Sequence, residues 1–339
     1  MLQYDVIIIG AGPGGLAIGA SLVDAGLKRN QLLMIDAGEV GQSWLDYPED
    51  THLLSASDPA KDDNMIGDVP TSEVFANIPH PNHVMYQKYL AHVAEKKKLP
   101  VLAQTKVQKI SYDKGAKVFY IWTDTDQLLT SRFVVWAGGM FTNPNDDMEC
   151  EGCYVHYAKM PYLTQIDENE VMIIGSANGA SGVVMQLAKP GRVITLVVSK
   201  EYIVPEPIDC LWKENMQFVK YLSQQGLVKI VEHFRAKRIY KEEDHYVIEN
   251  EEGKKLTAPD RPIICTGFSP NIEPIKDMIN PIIVEHETFM DLDEHHQSKK
   301  QPGLYLGGVI GRVSHDDGFI IQFRKFAPVI AKHIISQIE

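Results

Sequence analysis

The chain has 339 residues, 44% of them hydrophobic and 23% charged, which suits two soluble globular domains. Its 33 basic and 45 acidic residues leave a formal charge of −12, which excludes a broad nucleic-acid face. No apolar run approaches the ~20 residues of a membrane span, no signal-peptide pattern precedes the first predicted strand, and 4 cysteines make no disulfide framework. The expectation is a cytoplasmic protein that acts on a small molecule and has no membrane partner. Its oligomeric state is unreadable.

Tyr4 to Ile9 is a short β-branched run that predicts a buried parallel strand. Gly10-Ala11-Gly12-Pro13-Gly14-Gly15 follows at once, then apolar residues at helical spacing to Ala25, a stop at Gly26, and a second strand ending at Asp36. Gly10 suits a tight turn, Gly12 lets backbone approach a pyrophosphate, and Gly15 allows close helix–strand packing. The unpaired N–H groups at the helix start hold a diphosphate, and an acidic residue at position 36 accepts ribose hydroxyls. Gln42 and Trp44, in the loop after Asp36, lie beside the nucleotide. Residues 45 to 83 are polar and irregular, of the kind that is functional or mobile.

A helix is predicted from Met85 to Lys98, with Lys96, Lys97 and Lys98 complementing its dipole. Val101 to Phe133 reads as short alternating strands, a meander or small antiparallel sheet, and Val134 to Trp136 as a further strand running into Gly138-Gly139. Val107 in this stretch and Gly138 at its end are taken as further cofactor contacts.

A second nucleotide-binding unit begins at Val171. Its turn, Gly175-Ser176-Ala177-Asn178-Gly179-Ala180, has lost two of the three glycines, and Ser199 and Lys200 are placed where Asp36 stood. A hydroxyl and an ammonium there suit a 2′-phosphate, favouring NADP, with NAD as the alternative. Ile263 to Phe268 echoes the closure at 134 to 139, so the chain is expected to leave its first domain, build a second and return. Residues 281 to 301, with His286, His295 and His296, read as a solvated loop and not a metal site. Gly318 to Ile338 predicts an amphipathic helix that Pro328 kinks or breaks. Cys265 reads as core.

Two such units, one complete and one inserted, resemble the two-domain flavoproteins of the pyridine nucleotide–disulfide oxidoreductase superfamily. The resemblance implies an α/β fold of two Rossmann-like dinucleotide-binding domains: residues 1–145 and 263–339 would bind FAD, and the inserted 146–262 would bind NAD(P). It makes Gly10, Gly12, Gly14, Gly15 and Asp36 FAD contacts, puts Gly308 near the flavin, and makes Gly175, Asn178, Ser199 and Lys200 NADP contacts. Within the superfamily, Gly41-Gln42-Ser43-Trp44, the Gly138 to Pro144 segment and the Gly152…His156 spacing are similar to flavin-containing monooxygenases, although Cys150 and Met160 replace two aromatic positions of that fingerprint. The Gly308 to Arg324 segment is more similar to bacillithiol-disulfide-reductase-like proteins, whose cysteine in the first glycine motif is Gly14 here. Three roles stay open. One is oxygenation of a soft nitrogen or sulfur centre. Another is disulfide reduction through Cys150 and Cys153, a C-x-x-C pair. The last is a non-catalytic flavin redox sensor. His156 is the candidate acid–base residue.

Overall fold

The computed structural model describes residues 3–49, 51–58, 61–145, 148–150, 155–160, 163, 166–207, 211–284, 287–314 and 318–338. The chain forms two compact units. One comprises Met1–Leu45, Ala56–Asn143 and Ser269–Glu339; the other comprises Asp46–Ser55 and Pro144–Phe268.

The first unit is built on a seven-stranded sheet. Tyr4–Ile9 lies between Leu32–Ile35 and Leu128–Trp136, parallel to both, with Ile9 opposite Ile35 on one side and Trp136 on the other. Val101–Leu102 is the parallel edge strand beside Leu32–Ile35 and takes no part in the meander. The two strands predicted between Leu128 and Trp136 are one. Its first half pairs antiparallel with Val118–Thr123, and its second half pairs parallel with Leu304–Leu306, so a single strand serves both sub-sheets. Val107–Asp113 completes the antiparallel part. Ile7, Ile35, Phe119, Ile121, Val134, Leu304 and Leu306 form one buried cluster, the face that the apolar runs in the sequence were spaced to make.

Helix Pro13–Asp24 packs against the last helix, Ile320–Ile338. That helix runs unbroken through Pro328 and buries Phe323, Phe326, Ile330 and Ile334. The missing Pro328 N–H is outweighed by this apolar stripe, so the expected break does not occur. The irregular stretch before helix His83–Lys96 is tied down by two buried tyrosines of that helix. Tyr86 Oη donates to the Asn64 carbonyl (2.9 Å), and Tyr89 Oη donates to the Val69 carbonyl (2.6 Å) while accepting from the Ile66 N–H (2.6 Å). Lys97 forms ion pairs with Asp24 and Asp68 rather than only facing the helix end. Residues 281 to 301 are not a featureless loop: Pro281–Val284 and Glu287–Met290 form a hairpin. His295 stacks on His333 with centroids 3.9 Å apart, and His296 packs on Phe326. His286 lies outside the described residues. Among the described residues no helix is long and apolar enough to cross a membrane.

The second unit repeats the plan. Five parallel strands run in the order Val155–His156, Ile263–Ile264, Glu170–Ile174, Val193–Val197, Val228–Val231, with helices Asn178–Leu187 and Leu211–Gln224 packed together. A four-stranded sheet of Lys255–Ala258, His245–Asn250, Ala236–Glu242 and Glu149–Cys150 completes this unit.

Candidate functional site

At the carboxyl end of the first unit's strands, the Gly10 N–H donates to the Ile35 carbonyl (2.8 Å) and the Leu16 N–H closes the first helical turn on the Gly12 carbonyl (3.0 Å). Gly10 has φ +105°, and a side chain there would run into the Ala137 carbonyl. Gly15 is needed against the Gly10 carbonyl. Gly12 is different: a Cβ there would meet nothing within 4 Å. No packing contact therefore requires a glycine at that position. A diphosphate is the group that amides at a helix N-terminus suit. Asp36 stands beside it. One carboxylate oxygen accepts from the Ala11 N–H (2.6 Å) and the other from the Gly38 N–H (2.9 Å), tying the glycine turn to the loop after the second strand. The Gly41 N–H then returns to the Ala11 carbonyl (3.0 Å), which brings Gln42 and Trp44 alongside. Gln42 Oε1 accepts from the Glu39 N–H (3.2 Å), and Trp44 packs edge-on against buried Tyr86 at 4.7 Å.

Gly14 faces inward, where a Cβ would overlap the Gly308 backbone. Two backbone segments, at Gly14 and at Gly308, therefore meet at van der Waals range. Gly138 lies under the Trp136 ring, whose Nε1 donates to the Asn271 carbonyl (2.7 Å), and the Asn271 N–H reaches back to the Gly139 carbonyl (3.0 Å). Asn271, absent from the sequence reading, clamps the turn that carries Gly138. The Val107 side chain is buried in the core, so any contact it makes with a ligand is through its backbone.

Backbone hydrogen bonds give the second unit an internal register against the first. The Gly175 N–H donates to the Val197 carbonyl (3.0 Å) as Gly10 does to Ile35, and the Cys265 N–H donates to Ile174 (2.7 Å) as Ala137 does to Ile9 (2.7 Å). With Ile174 opposite Val197, the residue in Asp36's position is Val198; Ser199 and Lys200 come one and two places later. This corrects the placement read from the sequence. Val198 is buried, whereas Ser199 and Lys200 are exposed. Ala177 caps the helix in the place of Gly12, and Asn178 begins it. Gly179, the counterpart of Gly14, has the Tyr157 ring 3.0 Å from where its Cβ would be. Its glycine is explained by that phenol, which burial holds well above the ordinary tyrosine range. The signal in the sequence was the aromatic directly after His156.

His156 is fully buried in this unit. Its Nδ1 accepts from the Ala158 N–H (3.2 Å), which leaves Nε2 as the protonated nitrogen, facing the Gly267 carbonyl at 3.2 Å. Its ring packs between Tyr157 and Phe268 at 5.1 and 5.2 Å. Both ring nitrogens thus hold backbone, which makes His156 a clamp on the 267 turn. Cys150 sits in a two-residue strand paired with Arg238 and Ile239, and Cys153 lies outside the described residues. Cys265 is buried, and burial pushes its thiol up, so it stays protonated.

The chain is similar to several known proteins. It is 25% identical over 207 residues to the uncharacterized oxidoreductase CzcO of Bacillus velezensis, a match covering 59% of this chain and 56% of that one, so the chain spans little more than half the length of this relative. Among solved structures, the bacillithiol disulfide reductase Bdr (YpdA) of Staphylococcus aureus superposes with a TM-score of 0.79 at 22% identity, covering 100% of both chains. A flavin-containing monooxygenase of Stenotrophomonas maltophilia gives 0.78 at 18% identity, again over 100% of both. These likenesses establish a mixed α/β fold with Rossmann-like parallel sheets. Residues 7–308 match the family described as pyridine nucleotide-disulphide oxidoreductase, which is nearly the whole chain, and the protein belongs to that oxidoreductase family.

Proposed function

We propose that this protein is an FAD-dependent NADPH oxidoreductase that uses molecular oxygen to oxygenate a soft nitrogen or sulfur centre. Bound flavin supplies the hydride acceptor and the activation of oxygen. The chain's own residues bind and orient it. The helix start offers the Gly14 and Gly15 amides to the diphosphate, Pro13 having no N–H and the Leu16 N–H being bonded to Gly12, and Asp36, already holding Ala11 and Gly38, offers carboxylate oxygens to ribose hydroxyls, since each oxygen accepts more than one hydrogen bond. In the second unit Gly175, Asn178, Ser199 and Lys200 are the contacts for NADPH. His156 orients the 267 turn through its two backbone hydrogen bonds and moves no proton.

The observation that carries this reading is the contrast between neighbouring glycines. At Gly12 a Cβ would meet open space, while at Gly14 it would meet the Gly308 backbone. The first suits a bound diphosphate. The second leaves no room for a cysteine in the glycine motif, where bacillithiol-reductase-like proteins carry one, and so favours oxygen over a disulfide as acceptor. The competing reading, electron transfer to a disulfide through Cys150 and Cys153, is supported by their C-x-x-C spacing and by the likeness to the Staphylococcus reductase.

The test is anaerobic reduction of the purified yellow protein by NADPH, with free thiols counted before and after. Air and a thioether are then admitted. An unchanged thiol count, with oxygen consumption stimulated by the thioether, is expected: one oxygen atom goes to sulfur and the other leaves as water. Two new thiols on reduction, abolished by Cys153→Ser, establish the disulfide route instead.

A further inference from the structure

The strand register that relates the two units also shows what each lays against its glycine turn. In the first unit Leu306 stands opposite Trp136, which stands opposite Ile9. In the second His156 stands opposite Ile264, which stands opposite Ile174. His156 is thus the counterpart of Leu306, and the next residue, Tyr157, is the counterpart of Gly307. Gly307 and Gly308 bring bare backbone against Gly14. A phenol lies there in the second unit: the Tyr157 Cε1, Cζ and Oη atoms are 3.0, 3.0 and 3.1 Å from where a Gly179 Cβ would be. The rings of His156 and Phe268, with centroids 5.1 and 5.9 Å away, fix the phenol in that place. Its hydroxyl has no hydrogen-bond partner among the described residues. Burial keeps the proton on it, so it is a donor.

A second difference lies at the position of Gly12. A Cβ there would meet nothing in the first unit, whereas Ala177, an exposed residue, carries a methyl group at that place. Ala177 caps helix Asn178–Leu187 without a side-chain acceptor, and no acid lies in the first turn. The first helical bond runs from the Ser181 N–H to the Ala177 carbonyl (3.1 Å), so the Asn178, Gly179 and Ala180 amides precede it and receive no anion from their own helix. We infer that Tyr157 selects for a dinucleotide: the Ala177 methyl displaces the ligand's diphosphate toward Gly179, and the Tyr157 hydroxyl donates to it there, alongside the Gly179 and Ala180 amides. The inference rests on the proposal that this unit binds a pyridine nucleotide, and it deepens that proposal by giving the diphosphate a side-chain donor. It also accounts for the altered glycine motif. Alanine is admitted at 177, where the first unit has open space for a Cβ, and glycine is kept at 179, where the phenol leaves none.

The experiment is calorimetric binding of NADP+ and of adenosine 2′-monophosphate, which has no diphosphate, to the intact protein with its own flavin. No turnover is needed. Tyr157→Phe keeps the ring that packs on Gly179 and removes only the hydroxyl. It should weaken NADP+ about ten-fold, the scale of one charge-assisted hydrogen bond, and leave adenosine 2′-monophosphate and the melting temperature unchanged. Ala177→Gly should tighten NADP+ by letting the diphosphate return to the turn. In the double variant the effect of Tyr157→Phe should then shrink to about two-fold or less, because the two positions are coupled. Wild-type affinity for NADP+ in Tyr157→Phe, or equal weakening of both ligands, overturns the inference while leaving a nucleotide site in place. An undiminished effect in the double variant overturns the displacement by Ala177. A wild-type protein that binds neither ligand overturns the underlying reading as well.

Discussion

Gly12→Val separates the folding role of the glycine turn from its binding role. The wild-type backbone at Gly12 has φ −80° and ψ −173°, an extended conformation that any residue adopts, and its Cβ would touch nothing. The stability cost is thus confined to replacing a tolerated N-cap residue by a poor one, about 1 kcal/mol. Binding should suffer far more. The isopropyl group would fill the space in front of the first helical amides, so a diphosphate would lose two charge-assisted hydrogen bonds of about 1.5–3 kcal/mol each, which is roughly a hundred-fold to ten-thousand-fold in flavin affinity. The assay is the flavin-to-protein absorbance ratio of purified variant, with thermal melting of both apo forms. Expected are a colourless protein and apo forms that melt within a few degrees of each other. A folded Gly12→Val protein that remains yellow, or an apo form that fails to fold, refutes the assignment of that space to the cofactor. Gly14→Ala is the control with the opposite signature, because its methyl overlaps the Gly308 backbone and destabilises the apo protein directly.

Other expectations can be checked with the same material. His156→Ala leaves a partly buried carbonyl and a partly buried amide without their side-chain partner, costing about 1 kcal/mol, and should lower the melting temperature without shifting the pH dependence of flavin reduction. Cys265 should resist alkylation at pH 8 in the native protein and react on denaturation, because burial keeps its thiol protonated. Burial, with the stacked His295 next, lowers His333 below the usual histidine range. A histidine whose folded pKa lies below its unfolded value binds fewer protons when folded, so its stabilising contribution is present above pH ~6.5 and is lost as pH falls through the folded value. His333→Gln should therefore flatten the fall in melting temperature between pH 7.5 and pH 5, and an undiminished fall contradicts this.

The first unit's strand, turn, helix and acid were legible because each depends on residues close in sequence: β-branched runs, glycines at fixed spacing, and an acid at the end of a strand. The second unit shows where an apolar run misleads. The run continues to Val198, one residue past the paired strand Val193–Val197, so ending the strand with the run assigns Ser199 to a place that pairing gives to Val198. Tyr157 against Gly179 and Asn271 behind Gly138 join distant segments, and no local pattern announces such contacts. The loop between 45 and 83 looked unstructured because the hydroxyls that hold it belong to a helix further along the chain. Pro328 was read by its local rule alone, and the apolar stripe around it prevailed.

The strand Leu304–Leu306 lies against Trp136 and its neighbours, although the ribosome makes the two far apart in time. At ordinary rates of translation, roughly 10 to 30 s pass between Trp136 and Leu304. During that interval Leu128–Trp136 presents one flank without its final partner, and helix Pro13–Asp24 lacks the cover of Ile320–Ile338. Most of the second unit, Pro144–Phe268, is synthesised within the same interval. A nascent chain stalled before Leu304 should therefore bind chaperones through its N-terminal portion, and loss of the last forty residues should be felt as aggregation during synthesis before it is felt as loss of any chemistry.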